Sequence, residues 1–497
     1  MNDLSLLIPE FLVAGLAFLV LGVDLFLKEE QKHNLAWLTA FCLVGILVFT
    51  ALNIRTGQLY DGLLVFDNYT AFFRVMFLAV STVVVLMSRD YVKAYIGYPG
   101  EYYGILVFTV TGAMLLASSA ELLTAYISLE LLSFGLYVLV SFDRYNPKSN
   151  EGGTKYILLG AFSSALILFG ISQIYGLLGT TRFEEIGYEL MAFSDPSMGL
   201  VIGFVLLISG LGFKLAIVPF HMWAPDAYEG APFPVTAWLS IGSKAAALAL
   251  VLRLLVDGFV PAPGVDDWQL VLVVLAALTM VIGNLSALVQ KNVRRLLAYS
   301  SIGHVGYLLM GAAALVSVRE DGSISTAMSH LVTNGIIFHI VAYGVTNLAA
   351  FTSLIAVYNH TGRDDIAGLA GLSARQPLVA LVLVSSMFSL AGLPVFAGFA
   401  SKFYLFNAVG AQGLLWLVAL AILSSLISLY YYLMVARQIY IEKANDQSLI
   451  IVPTTTKALL LGLLILMVVG GIYPAPLMEV IQSATDAIIS GELVRLV

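Results

Sequence analysis

Lys214 lies in an apolar run that begins at Leu200, and Pro219 follows it in LGFKLAIVPFHMWAPDAYEGAP. A charge at the centre of a spanning helix costs roughly 3 kcal/mol on insertion scales and usually faces a bundle interior or a hydrated cavity. The chemistry this points to is an ion or proton path. Proline removes a backbone donor and clashes with the preceding turn, so a helix here is expected to end, kink or unwind about five residues past the charge. Glu130, in AYISLELLSFGLYVLV, follows Glu121 by nine residues. With Glu121 at the membrane edge, a rise of 1.5 Å per residue puts Glu130 roughly 13 Å deep. An unpaired carboxyl at that depth is costly, and Lys214 is an available partner.

Lys244, in WLSIGSKAAALAL, falls on the next predicted helix, and small residues beside both lysines let helices approach closely. Burial disfavours an ammonium and a nearby carboxylate favours it, and these opposed influences make a relay possible. His304, in QKNVRRLLAYSSIGHVGYLLMG, comes nine residues after Arg295, again roughly 13 Å deep. Histidine titrates near neutrality and passes protons through either nitrogen. Tyr299, Ser300, Ser301 and Tyr307 add hydroxyls around it. Lys402, in SLAGLPVFAGFASKFYLF, follows Gly392, Pro394 and Gly398. The plainer readings are a hydrogen-bonded packing residue for Glu130 or His304, and a cation snorkelling to an interface for Lys244 or Lys402. His221, Asp226 and Glu229 are read as shaping a surface turn and capping the eighth helix. His330 and His339, with Asn334, fit either packing or a central hydrated axis.

These side chains need spanning helices to hold them. Of 497 residues, 60 % are hydrophobic and 11 % charged, against about 25 % charged in soluble domains. The fold class is therefore an all-α polytopic membrane protein. About 20 apolar residues per span gives fourteen spans, near 4–27, 34–54, 66–88, 103–118, 121–142, 153–178, 199–223, 231–256, 268–287, 296–316, 328–358, 376–408, 412–438 and 456–474. The tail from Tyr473 to Val497 reads as a surface-lying amphipathic segment. The first run has no basic leader and is too long for a signal-peptide core, so it reads as a retained span. Loops expected on one face carry fourteen of the 24 lysines and arginines, among them Lys28, Lys32, Lys148, Arg294 and Arg295. Those on the other face, with the termini, carry Arg55, Arg182, Arg319 and Arg495. Cytoplasmic loops hold the excess, so both termini are expected on the non-cytoplasmic side.

Spans seven and twelve are both broken and lysine-bearing. Taking spans 4 to 8 and 9 to 13 as equivalent blocks of five gives an inverted-repeat plan, with the ion site at the paired breaks. The expected division is 1–100 as an N-terminal three-helix segment, 101–257 and 268–438 as the two repeats, each a half-channel, and 439–497 as a last helix and tail. A single cysteine, Cys42, excludes a disulfide framework and a CxxC motif. No nucleotide-binding or zinc-protease motif occurs.

GFKLAIVPFHMWAPDAYEGAP, SKAAAL, KNVRRLLAYSSIGHVGY, GRDDIAGLAGL and SLAGLPVFAGFASKFYLF together resemble the antiporter-like membrane subunits of respiratory complex I. The match runs in order from about Glu101 to Arg437, and the opening LIPEFLVAGLAFLVLGVDL is typical of one of these subunits. The resemblance implies fourteen core helices, inverted repeats and broken seventh and twelfth helices. It assigns Glu130 as the fifth-helix glutamate, Lys214 and Lys244 as the lysines of helices seven and eight, His304 as the tenth-helix relay and Lys402 as the twelfth-helix lysine. It also implies a proton-translocating subunit of an NADH:quinone oxidoreductase in a bacterial cell membrane. No prosthetic group is expected in this chain, with NADH, FMN, iron–sulfur clusters and quinone in other subunits. The implied partners are the other membrane subunits, the peripheral arm reached through them, and the lipid bilayer, with no nucleic acid. Competing readings are a subunit of a multi-subunit cation/proton antiporter, a photosynthetic complex using ferredoxin and plastoquinone, and a non-conducting scaffold, which gains nothing from several buried charges.

Overall fold

In hydrocarbon every backbone N–H and C=O must find its partner within the protein, so long apolar segments become helices. The computed structural model, which describes residues 3–191, 197–259, 265–315, 326–444 and 448–489, is built in this way. The N-terminal part holds α1 (Ile8–Asp24), α2 (Leu35–Leu52) and α3 (Asn68–Tyr95). Next come α4 (Pro99–Ser118), α5 (Leu122–Val140), α6 (Pro147–Leu178), the short α7 (Phe183–Met191), α8 (Met198–Leu215), α9 (Trp223–Gly230), α10 (Phe233–Trp238) and α11 (Lys244–Leu254). The second half runs through α12 (Val265–Ala287), α13 (Val293–Leu315), α14 (Thr326–Thr361), α15 (Leu372–Arg375), α16 (Pro377–Ala391), α17 (Ala397–Ala411) and α18 (Leu415–Tyr440). It closes with α19 (Thr454–Ile472) and α20 (Ala475–Ile489).

Thirteen helical stretches among the described residues are long and apolar enough to cross a membrane. The remaining predicted span, 376–408, is two shorter helices, α16 and α17. Large apolar side chains such as Phe41, Phe162 and Ile422 are exposed on peripheral helices, as lipid contact requires. The stretch through α10 and α11, together with α13, is buried along almost its whole length and forms the centre.

Both predicted breaks exist, and each has the same backbone end. At the end of α8, Ala216 takes a left-handed φ of 61°, and Ile217 N donates back to Gly212 O at 2.8 Å. At the end of α16, Gly392 has φ 84° and Leu393 N donates to Phe388 O at 3.0 Å. Both are Schellman-type endings that satisfy carbonyls at a helix C-terminus. The first break therefore comes directly after Lys214 rather than five residues on, with Pro219 in the following turn. The eighth predicted span is not a plain helix: α10 and α11 are joined by a π-helical turn, Leu239–Ser243. Extra hydrogen-bond spacing of this kind leaves no periodic mark in an apolar sequence, so it was not anticipated.

Two other segments differ from expectation. The region after α2 holds a small antiparallel hairpin, β1 (Gly57–Leu59) with β2 (Leu64–Phe66), whose Leu59, Leu64 and Phe66 pack with Leu6 and Leu7. The predicted surface-lying tail is helical as α20, and it is bound to the bundle. Ile481, Ala484 and Ile488 are buried, Asn68 donates to Ser483 at 3.0 Å, and His330 meets Asp486 at 3.1 Å. Residues 490–497 of that expectation lie outside the described residues.

The second break is stitched from three helices. Gly398 N donates to Ser389 Oγ at 3.1 Å, and Ser389 shares a 2.9 Å hydroxyl contact with Thr346 of α14. A Cβ at Gly398 would lie 1.9 Å from Ser389 O, a backbone atom that cannot swing away. Gly398→Val is expected to cost more than the roughly 1–3 kcal/mol of ordinary overpacking, and to lower the amount of this chain recovered in membranes at least severalfold by quantitative immunoblot. Wild-type amounts would show that the two half-helices can separate without penalty.

Candidate functional site

Glu121 caps α5, accepting from Leu123 N at 2.9 Å and Thr124 N at 2.6 Å, which sets where that helix starts. Glu130, Ser133 and Tyr137 then follow at i, i+3 and i+7, on one stripe of α5. The stripe faces Lys214, in the last turn of α8, where a cation also complements the helix dipole. Lys214 Nζ donates to Glu130 Oε1 at 3.3 Å, Ser133 Oγ at 2.9 Å and Tyr137 OH at 3.2 Å. An ammonium has three donors, and here each has an acceptor. Glu130 Oε1 also receives Ser164 Oγ of α6 at 2.5 Å. The expected Glu130–Lys214 pair is present, and both side chains are largely buried.

Lys244 opens α11 directly after the π-helical turn and is 1 % exposed, so it does not snorkel. It donates to Ser301 Oγ of α13 and lies 5.9 Å from the centre of the Tyr228 ring. No carboxylate partner for Lys244 occurs among the described residues. π-helical turns often mark functional positions, and this one aims the lysine at α13.

His304 sits one turn beyond Ser301 on α13, fully inside the bundle. Its Nδ1 lies 3.1 Å from Nε2 of His339 on α14, with the two rings stacked at 5.3 Å. His339 Nδ1 reaches Ser401 Oγ at 3.1 Å, and Ser401 is the neighbour of Lys402. His304 is within electrostatic reach of both Lys244 and Lys402. Around it the hydroxyls of Tyr307 and Tyr343 are buried without a hydrogen-bond partner among the described residues.

Lys402 is 5 % exposed and is not a headgroup snorkel. It reaches back across the break to the end of α16, donating to Leu390 O at 2.8 Å, Ala391 O at 3.3 Å and Ser425 Oγ at 3.0 Å. It also borders a cleft of about 600 Å³ shared by α16, α17 and α18. The five predicted residues thus form two groups. Glu130 and Lys214 are in direct contact, while Lys244 bonds Ser301, one turn from His304, and His304 contacts His339, which reaches Ser401, the sequence neighbour of Lys402. No direct hydrogen bond joins Lys214 to Lys244 among the described residues.

Sequence reasoning missed Ser133, Tyr137, Ser164 and Ser401 and left His339 undecided. The i, i+3, i+7 spacing of Glu130, Ser133 and Tyr137 was a usable signal. Nothing local marked Ser164 or Ser401. His330 is far from the axis, on Asp486. No group of three His, Cys, Asp or Glu side chains placed to hold a metal ion occurs among the described residues.

A sequence profile described as NADH:quinone oxidoreductase/Mrp antiporter, TM, matches residues 119–428. The chain belongs to this family. It is 38 % identical over 493 residues to the NADH-quinone oxidoreductase subunit N of Desulfitobacterium hafniense, covering 98 % of this chain and 99 % of the relative. Identity to the protein of the same name from Heliobacterium modesticaldum is 40 % over 489 residues, covering 98 % and 100 %. Among solved structures, a chain of respiratory complex I from Thermus thermophilus with bound aureothin superposes with a TM-score of 0.78 at 27 % identity, covering 96 % of this chain and all of that one. A chain of the Mrp complex from Dietzia matches with a TM-score of 0.81 at 20 % identity, covering 98 % and 99 %, a likeness of fold.

The family segment includes both breaks, and α9 secures the first. Trp223 Nε1 donates to Phe213 O at 2.8 Å, taking a carbonyl beside the break, and its ring stacks on Tyr156 at 4.4 Å. Asp226 and Glu229 do not cap the next helix, which has no side-chain cap. They tie α9 to α6 and α13 instead: Asp226 to Lys155 at 2.7 Å and Arg295 at 2.5 Å, and Glu229 to Lys148 at 2.8 Å. Burial raises the Asp226 carboxyl, but Lys155 and Arg295 outweigh it and hold it below the ordinary 3.8. A carboxyl depressed on folding contributes stability above its unfolded value and loses it as pH falls through the folded one. The tether should therefore persist at neutral pH and fail only in acid below about 3.8. Asp226→Asn at pH 7 should raise amide hydrogen exchange in 216–230 several-fold, and unchanged exchange would show that packing alone holds α9.

Proposed function

We propose that this chain is a proton-translocating membrane subunit of an NADH:quinone oxidoreductase in a bacterial plasma membrane, driven by redox chemistry in other subunits. The observation that carries this reading is the file of buried ionisable groups: Glu130 on Lys214, Lys244 on Ser301, His304 on His339, and Lys402 at the second break. At 3.3 Å and an effective dielectric near 20, the Glu130–Lys214 attraction is of order 5 kcal/mol. Neutralising or displacing Glu130 removes that term, and Lys214 then favours passing its proton on. Lys244 is held by neutral groups, so a proton arriving there raises the local field felt by His304. His304 and His339 exchange a proton through their facing nitrogens, and Ser401 brings the route beside Lys402. Lys402, bordering a cleft, is the release residue.

In this reading the chain carries no prosthetic group; NADH oxidation and quinone reduction, with FMN and iron–sulfur clusters, belong to partner subunits. The blocks 101–257 and 268–438 act as two half-channels of opposite orientation, and both termini face away from the cytoplasm, the orientation that the excess of loop cations on one face supports. The family profile also names Mrp antiporters, so a cation/proton antiporter subunit is the second reading. Its signature is sodium-dependent transport without quinone reduction.

Lys214→Ala and Glu130→Ala, each in the intact complex, should largely abolish pumping-linked quinone reduction while leaving the complex assembled on native gels. Near-normal proton-to-electron ratios in membrane vesicles of either variant would remove that residue from the route.

A further inference from the structure

The hydroxyls around Lys214 do more than fill space. Ser133 Oγ donates its one proton to Leu129 O at 2.7 Å, which leaves its lone pairs for Lys214 Nζ at 2.9 Å. Tyr137 OH is 3.2 Å from the same nitrogen, and its ring is held edge-on by Tyr156 at 4.7 Å. Tyr156 is stacked in turn on Trp223 of α9. Tyr137 thus presents its oxygen to Lys214 from a rigid aromatic ladder that ends on the tethered helix beyond the break. Serine and tyrosine hydroxyls both donate and accept, whereas a carboxylate only accepts.

We propose that Ser133 and Tyr137 are two further positioning residues of this chain, holding the Lys214 nitrogen in place in both of its charge states. This rests on the function proposed above. While Lys214 is an ammonium, both oxygens accept from it. When one Nζ–H bond breaks, the proton passes to a water on the route toward Lys244 and the nitrogen keeps the electron pair. Tyr137 then rotates its O–H to donate into that lone pair. Both hydroxyls keep their own protons, so the net change is one proton released by Lys214. Without them the neutral amine would keep only Glu130 Oε1 as a partner, with nothing donating into its lone pair to fix it for the next proton.

The test uses the intact complex in liposomes, with coupled quinone reduction and proton uptake followed from pH 6 to 9. Tyr137→Phe keeps the ring stack and Ser133→Ala suits a helix, so assembly is expected to survive in both, checked by subunit content. Hydrogen bonds to charged groups are strong enough that losing both should lower the coupled rate about tenfold, and losing Tyr137 OH alone about threefold. Removing acceptors favours the neutral amine, so the alkaline limb of the pH profile should move toward acid in the double variant. An unchanged rate and profile in the double variant, with Lys214→Ala impaired, would overturn this inference and leave the proposed function standing. A fall in rate with an unmoved profile would mark a structural role and overturn it equally. Normal pumping by Lys214→Ala would overturn the proposed function and this inference with it.

Discussion

An ammonium in the middle of a bilayer must be surrounded by acceptors. Lys214 has a carboxylate and two hydroxyls, and Lys402 has two carbonyls and a serine. A continuous helix keeps its carbonyls for itself, so carbonyl acceptors come only from a break, and side-chain acceptors from a facing helix. Lys402 uses the carbonyls at the end of α16 directly. At the first break the arrangement differs: Trp223 takes the Phe213 carbonyl, and the lysine is turned toward α5. Each break has a lysine beside it, Lys214 just before the first and Lys402 in the second turn of α17 reaching back to the other.

The buried charge pairs are of two kinds. Arg74 holds Glu10 through two nitrogens, at 2.7 and 2.8 Å, and lies over Phe66. Arg253 NH2 meets both oxygens of Asp67 at 3.0 and 2.9 Å, and Asp67 is at the same time the cap of α3. Planar guanidinium groups that never lose their proton make fixed joints. Glu130 and Lys214 meet through one oxygen at 3.3 Å, and the lysine can give up its proton. The same bilayer penalty is therefore met by arginine pairs that stay charged and by lysine and histidine groups whose chemistry lets them change charge.

Much of this was legible in the residues. The length of the apolar runs forces helices. The rarity of charge within them singled out Glu130, Lys214, Lys244, His304 and Lys402, since each buried charge needs a reason. Glycine and proline placed the second break correctly. Pro219 placed the first several residues late, because the helix ends where Ala216 adopts a left-handed conformation, which alanine does not advertise. The π-helical turn before Lys244 was invisible for a related reason: it changes hydrogen-bond spacing without changing composition.

The sequence by itself determined that the protein lives in a membrane, which charged side chains fall inside its apolar runs, and where along each helix they lie. Depth follows from counting residues at a fixed rise, so it is a one-dimensional property. Which helix faces which is not. Only the tertiary structure decided that Tyr137 and Ser133 share Lys214 with Glu130, that His339 stands against His304 while His330 is spent on Asp486, and that Asp226 tethers α9. Those contacts join residues from 35 to 156 positions apart, and they depend on how apolar helix faces interdigitate, which no local pattern encodes.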